Sequence, residues 1–279
     1  MMNTGLKKVL TFVLLTFALS AAPLAVIISA GSMKAAGTIW VVFVMWSPGL
    51  AAIITQLVFH ESLRGLGWGW GKTRYQALGY LLPLAYTSAT YALVWLFGLG
   101  KISDRLPTGT ARFLLIVFIG PIFNMIAAVG EEIGWRGFLV PELTKLTGYT
   151  GASLISGLIW AVWHYPGILF ADYNNPGTPR WYSLVCFTVM IVGISFALSW
   201  IRLKSGSLWT AAVFHGSHNC YIQAVYDPLT VGVGITPFII SEFGAGLALM
   251  GFVVAYVFWR KRGQLPVLTG PETLLPRAK

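Results

Sequence analysis

The chain has 279 residues, of which 56% are hydrophobic and only 10% charged, with a formal net charge of +10. A soluble domain carries about a quarter charged residues, so this composition excludes an ordinary soluble protein and reads as a polytopic membrane protein. The basic residues are scattered at the edges of apolar runs and form no stripe of the kind a phosphate backbone needs, which excludes nucleic acid as a partner.

At ~20 apolar residues per helical crossing, the length accommodates about eight transmembrane helices in a single all-α domain over residues 1–262. The first runs from about Val9 to Ser29, behind Lys7 and Lys8. The small residues within Ala18 to Ala22 also fit a cleaved signal peptide, but the apolar run continues to Ile28, so a retained helix is expected. The second, about Thr38 to Phe59, ends in the stretch His60 to Tyr75. There Arg64, Lys72 and Arg74 mix with Leu63, Leu66, Trp68 and Trp70, as in a connection lying at the headgroups. The third is about Ala77 to Leu99. The fourth, about Arg112 to Val140, is kinkable at Pro121 and is expected to end before Pro141.

The fifth crossing, about Ala152 to Phe170, leads into the turn-rich loop Asp172 to Pro179. The sixth is about Trp181 to Ile201, the seventh Ser207 to Val225, and the eighth Phe238 to Trp259, stopping at Arg260-Lys261-Arg262. Residues 263–279 carry Pro266, Pro271 and Pro276 and are expected to be a disordered tail. Cys186 and Cys220 lie inside apolar runs and read as small buried side chains. Eight crossings put both termini on one side. Lys34, Lys101, Arg105, Arg112 and Arg180 fall on the other side, and the rest of the 19 Lys and Arg residues fall with the termini. The positive-inside rule therefore expects cytoplasmic termini, in the cell membrane.

Three crossings carry ionisable groups that each cost free energy unless they face a protein-lined cavity, and such groups are functional candidates by default. Two of the nine acidic residues, Glu131 and Glu132, end an apolar run. Glu132 and Arg136 share a helical face in the favourable order, whereas Glu131 is rotated ~100° away and stays unpaired. Glu131 and His164 lie at similar distances from Gly148, so a hairpin through that glycine brings them to one depth. His215 lies roughly 14 Å beyond Gly206, and all three are expected to meet in a cavity open to the cytoplasm. Trp160 is four residues before His164, and His215 is four before Asn219, so each pair shares a face.

A buried carboxylate beside a histidine is suited to take a proton from water; Glu131 and His164 fit that role. His215 and Asn219 can donate hydrogen bonds to the oxyanion of an attacked carbonyl, each worth ~3 kcal/mol in barrier. Glu132, Arg136 and Trp160 would support the site. Glu131, His164 and His215 also permit zinc with one open position for water, although no HExxH motif is present. His218 reads as a packing or hydrogen-bonding neighbour, and Trp135 and Trp163 as anchors or packing.

The ordered set Glu131-Glu132-x-x-x-Arg136, an aromatic residue four before His164, and His215-x-x-x-Asn219 resembles the CAAX protease and bacteriocin-processing family of intramembrane endopeptidases. The resemblance covers about Gly130 to Tyr221, with a family-like core of about 112–225. It implies an eight-helix bundle in which Glu131 and His164 activate water and His215 and Asn219 form the oxyanion hole. Trp160 stands where the family usually has phenylalanine. The resemblance leaves metal dependence open and implies a peptide or membrane-protein substrate, with a lipidated tail among the candidates. The competing readings are a non-enzymatic immunity or scaffold protein and a proton-coupled transporter, the latter without the repeated halves that such folds show.

Overall fold

The computed structural model describes residues 3–106 and 108–266, so the expected disordered tail lies outside the described residues from position 267 onward. Helices dominate: α1 (Thr4–Ser29), α2 (Met33–Ala36), α3 (Thr38–Val58), α4 (Thr73–Leu96), α5 (Thr110–Glu132), α6 (Val140–Phe170), α7 (Arg180–Ser205), α8 (Trp209–Asn219), α9 (Asp227–Leu229) and α10 (Ala245–Arg260). Two π-helical segments, Ile133–Leu139 and Cys220–Tyr226, continue α5 and α8. The short strands β1 (Gly100–Ile102) and β2 (Thr230–Gly232) pair antiparallel, with Lys101 opposite Val231.

Five helical runs among the described residues are long and apolar enough to cross a membrane, and the run Thr110–Phe170 is 61 residues long. That run makes two crossings. Residues 131 and 160 would stand ~44 Å apart on a straight helix, yet their side chains hydrogen-bond, because the chain reverses at Gly148, whose φ of 70° is open to glycine. With α8 and α10, about eight helices form an all-α membrane bundle, that of an integral membrane protein.

Two boundaries differ from the sequence reading. The fourth crossing does not stop before Pro141. Its π turn shifts the ladder by one residue, so that Val140 N–H bonds the carbonyl of Trp135. In that register Pro141 would face the carbonyl of Arg136, which instead accepts from Arg202 Nε at 2.8 Å. The eighth helix begins at Ala245 rather than Phe238, because the chain turns back between them: Gly246 N–H bonds the Ile239 carbonyl at 2.9 Å, and Ser241 has a φ of 66°.

The loops gather at two ends in the alternation read from the sequence. At one end Lys8 Nζ meets Glu61 Oε1 at 2.5 Å, Leu208 N–H bonds the Gly67 carbonyl at 2.9 Å and Trp200 Nε1 donates to the Lys261 carbonyl at 3.0 Å. At the other, Met33 N–H bonds Asp172 Oδ1 at 2.8 Å and Ser103 N–H bonds the Leu229 carbonyl at 2.9 Å. Small residues bring the site-bearing helices together, as is usual in lipid where backbones must approach closely. A Cβ on Gly134 would stand 2.5 Å from Pro48 of α3, and one on Gly216 would stand 2.4 Å from the Met125 backbone of α5.

Candidate active site

The motif residues come from the end of α5, the second arm of α6 and the end of α8, two of them next to π turns. A π turn inserts an extra residue and turns neighbouring side chains off the regular helical stripe, which is why such turns recur at functional sites. Glu131 and Glu132 are both buried, as are Arg136, His215 and Trp160.

Glu132 is a junction. Its Oε1 accepts from Arg136 Nη1 at 2.9 Å and from His215 Nδ1 at 2.9 Å. The arginine also reaches Ser195 Oγ at 3.4 Å and lies over the Trp160 ring at 4.1 Å. The guanidinium thereby neutralises the carboxylate, and the carboxylate in turn orients an imidazole. The expected ion pair is present, and its extension to His215 was not legible from helical spacing.

Glu131 takes a different set of partners. Its Oε2 accepts from two indoles, Trp160 Nε1 at 2.9 Å and Trp135 Nε1 at 3.3 Å. The carbonyl of Trp160 is 2.9 Å from His164 Nδ1. A carbonyl can only accept, so Nδ1 carries the proton and Nε2 of the neutral ring keeps its lone pair. Trp160 therefore joins Glu131 to His164, its side chain holding one and its backbone the other. Trp135, read as packing, is a donor to the carboxylate. Trp163 meets the His164 ring edge-on at 4.8 Å and donates to Ser20 Oγ at 2.8 Å.

Glu131, Trp160, His164, His215, His218 and Asn219 line one cavity of about 520 Å³. The structure thus brings all four candidate catalytic residues together. The cavity does not run toward the end that carries the termini. Its further walls are Leu24 and Ile27 of α1, Lys34, Thr38 and Val41, and Ala171 and Tyr173, all toward the opposite end. Toward the basic end Phe12 packs on Trp135 and Phe138, with ring centroids 5.7 and 5.0 Å apart. A residue that sequence reasoning missed, Glu242, also lines the cavity; it accepts from Tyr173 OH at 2.8 Å and Gln223 Nε2 at 2.9 Å. Its signal was available: it is a carboxylate within the apolar run Phe238 to Phe243.

Two imidazoles and a carboxylate are chemically suited to zinc. Among the described residues, however, no three His, Cys, Asp or Glu side chains are grouped so as to hold an ion. This arrangement does not fit a three-ligand site.

These features define a helical membrane protein with a carboxylate and imidazole chamber enclosed by its bundle. Residues 111–221 match the family model described as type II CAAX prenyl endopeptidase Rce1-like. A curated relative, CAAX prenyl protease 2 of Methanococcus maripaludis, is 32% identical over 95 residues, covering 33% of this chain and 35% of the archaeal protein. The match thus spans about a third of that relative's length. Both findings fall on the segment that carries the motifs, and over that segment the chain is similar to CAAX prenyl endopeptidases.

Proposed function

We propose that the protein is an intramembrane endopeptidase of the CAAX-protease type, which hydrolyses a peptide bond with water activated by Glu131 and His164. The observation that carries this reading is the double attachment through Trp160, which leaves Glu131 Oε1 and His164 Nε2 as the groups free to hold a water. Glu131 takes a proton as the water oxygen attacks the carbonyl carbon. The developing oxyanion is received by His215 and Asn219. Because His215 donates its Nδ1 proton to Glu132, donation from Nε2 as well requires the imidazolium form. The C–N bond then breaks, and the proton held by the Glu131 and His164 pair passes to the leaving amine.

The cavity wall formed by Leu24, Ile27, Val41, Val44 and Met45 suits an apolar or lipidated peptide or protein terminus. The protein is placed in the cell membrane with both termini cytoplasmic, on the strength of its basic end, so that the chamber leads toward the far side. The test is cleavage, by purified protein, of a farnesylated peptide ending in Cys-aliphatic-aliphatic-X and of its unprenylated counterpart. Glu131→Gln and His164→Ala are expected to abolish turnover; parental rates in either would overturn the assignment. Repeating the assay after chelation decides the metal question: loss of activity restored by zinc would replace the metal-free mechanism.

A further inference from the structure

We propose that Glu242 is a positioning residue for this reaction, acting through Tyr173 to fix the plane of the His164 ring; the proposal rests on the assignment of His164 to water activation. The Tyr173 ring stacks on the His164 imidazole with centroids 5.7 Å apart and planes 30° from parallel. Its hydroxyl donates to Glu242 Oε2 at 2.8 Å. The phenol is thus held at both ends, against the imidazole by its face and to a carboxylate by its tip. Phe187 and Trp163 close on the same imidazole at 5.0 and 4.8 Å. The Nδ1 contact to the Trp160 carbonyl ties one edge of the ring, and the stacked Tyr173 face restrains its plane.

Glu242 is itself built in. It is 3% exposed. Its Oε1 accepts from Gln223 at 2.9 Å and lies 3.5 Å from His218 Nε2, while His218 Nδ1 is hydrogen-bonded to Tyr86. Each carboxylate oxygen thus accepts from a protein donor, Oε2 from Tyr173 and Oε1 from Gln223, which suits an anchor. The backbone that delivers it is unfavourable: Ser241, immediately before it, has a φ of 66°. A non-glycine residue in that region costs of order 1–3 kcal/mol and persists only where its surroundings over-determine it, which happens mostly at functional sites. Tyr91 is the group that holds it, its hydroxyl accepting from Ser241 N–H at 3.0 Å.

The experiment is steady-state cleavage of the farnesylated peptide by the full chain in detergent, with Glu242→Ala, Tyr173→Phe and the double variant. A loosened catalytic group costs up to about 100-fold in rate. Each single variant is expected to lose between about 10- and 100-fold in kcat, with KM within about 3-fold. The double variant should lose no more than either single variant, and Glu242→Gln, which keeps the acceptor, should recover most of the rate. Parental kcat in Tyr173→Phe, an effect confined to KM, or losses that multiply in the double variant would overturn the proposal. If Glu242→Ala fails to fold, Tyr173→Phe decides alone, since it deletes only a hydroxyl. Failure of the underlying reading is distinguishable, because it would show as parental turnover in His164→Ala.

Discussion

His215 Nδ1 lies 2.9 Å from Glu132 Oε1, the same oxygen that accepts from Arg136 at 2.9 Å. One carboxylate oxygen thus serves an arginine from its own helical run and a histidine from α8, so the ion pair that first looks like local helix support ties two helices together. Removing one partner of a buried pair typically costs 3–5 kcal/mol, because the other charge is left uncompensated.

Glu132→Gln is therefore expected to lower the thermal unfolding midpoint in detergent markedly and to reduce peptide cleavage at least about 100-fold, since it strands Arg136 and frees His215. An unfolding midpoint and a cleavage rate both at parental values would show that the junction contributes nothing.

The two indoles on Glu131 predict redundancy. Trp160→Phe leaves Trp135 Nε1 at 3.3 Å from the same oxygen, and Trp135→Phe leaves Trp160 at 2.9 Å. Either single change should cost only a few-fold in kcat, whereas the double variant should lose more than the product of the two, as groups sharing one partner are coupled. Multiplicative losses, measured by steady-state cleavage, would contradict shared duty.

A pH effect on stability is expected from Asp227, which lies in the connection after the seventh crossing. Burial, opposed by the hydrogen bond from Tyr91 and reinforced by the charge of Glu242, pushes its carboxyl up to about 7. The folded state therefore holds a proton that the unfolded chain has released, and the stability gained is present at low pH and lost as pH rises through about 7. Between pH 6 and 8 the loss is about 1.4 kcal/mol. Thermal unfolding should show a midpoint falling over that range in the parent and much less in Asp227→Asn; equal slopes would contradict it.

Gly216 tests the helix contact. A Cβ there would sit 2.4 Å from the Met125 backbone nitrogen, against main chain that has nowhere to move. Gly216→Ala should separate α8 from α5, lowering yield and thermal stability and abolishing cleavage. A variant as stable and active as the parent would show that the two helices tolerate a wider spacing.

Much of this was legible because a membrane punishes polar groups. Each crossing announced itself as an apolar run, and Glu131, Glu132, Arg136, His164 and His215 stood out against it. Helical spacing found the partners within one run, Arg136 for Glu132 and Trp160 beside His164. It failed for partners on other elements. Glu132 to His215 and Tyr173 to Glu242 depend on how helices are rotated against one another, which no period records. The direction of the cavity was misread for a related reason. Counting residues from Gly148 gives depth, but which way the cavity extends depends on which side chains line it, and no spacing records that. Glu242 carried the same signal, a carboxylate in an apolar run, but its pairing with Tyr173 and Gln223 depends on how the chain turns after Phe238.

Pro141 and Arg202 carry one more lesson, for anyone who wishes to stabilise the protein by design. By helix propensity, Pro141→Ala should be an improvement, since it restores a backbone N–H within a long helix. Here the new N–H would compete for the Arg136 carbonyl that Arg202 Nε now occupies at 2.8 Å. Arg202 is 3% exposed, and a cation displaced at that depth has no water to turn to. The apparent flaw in the helix leaves the Arg136 carbonyl to an arginine, and repairing the helix would make that carbonyl serve two donors.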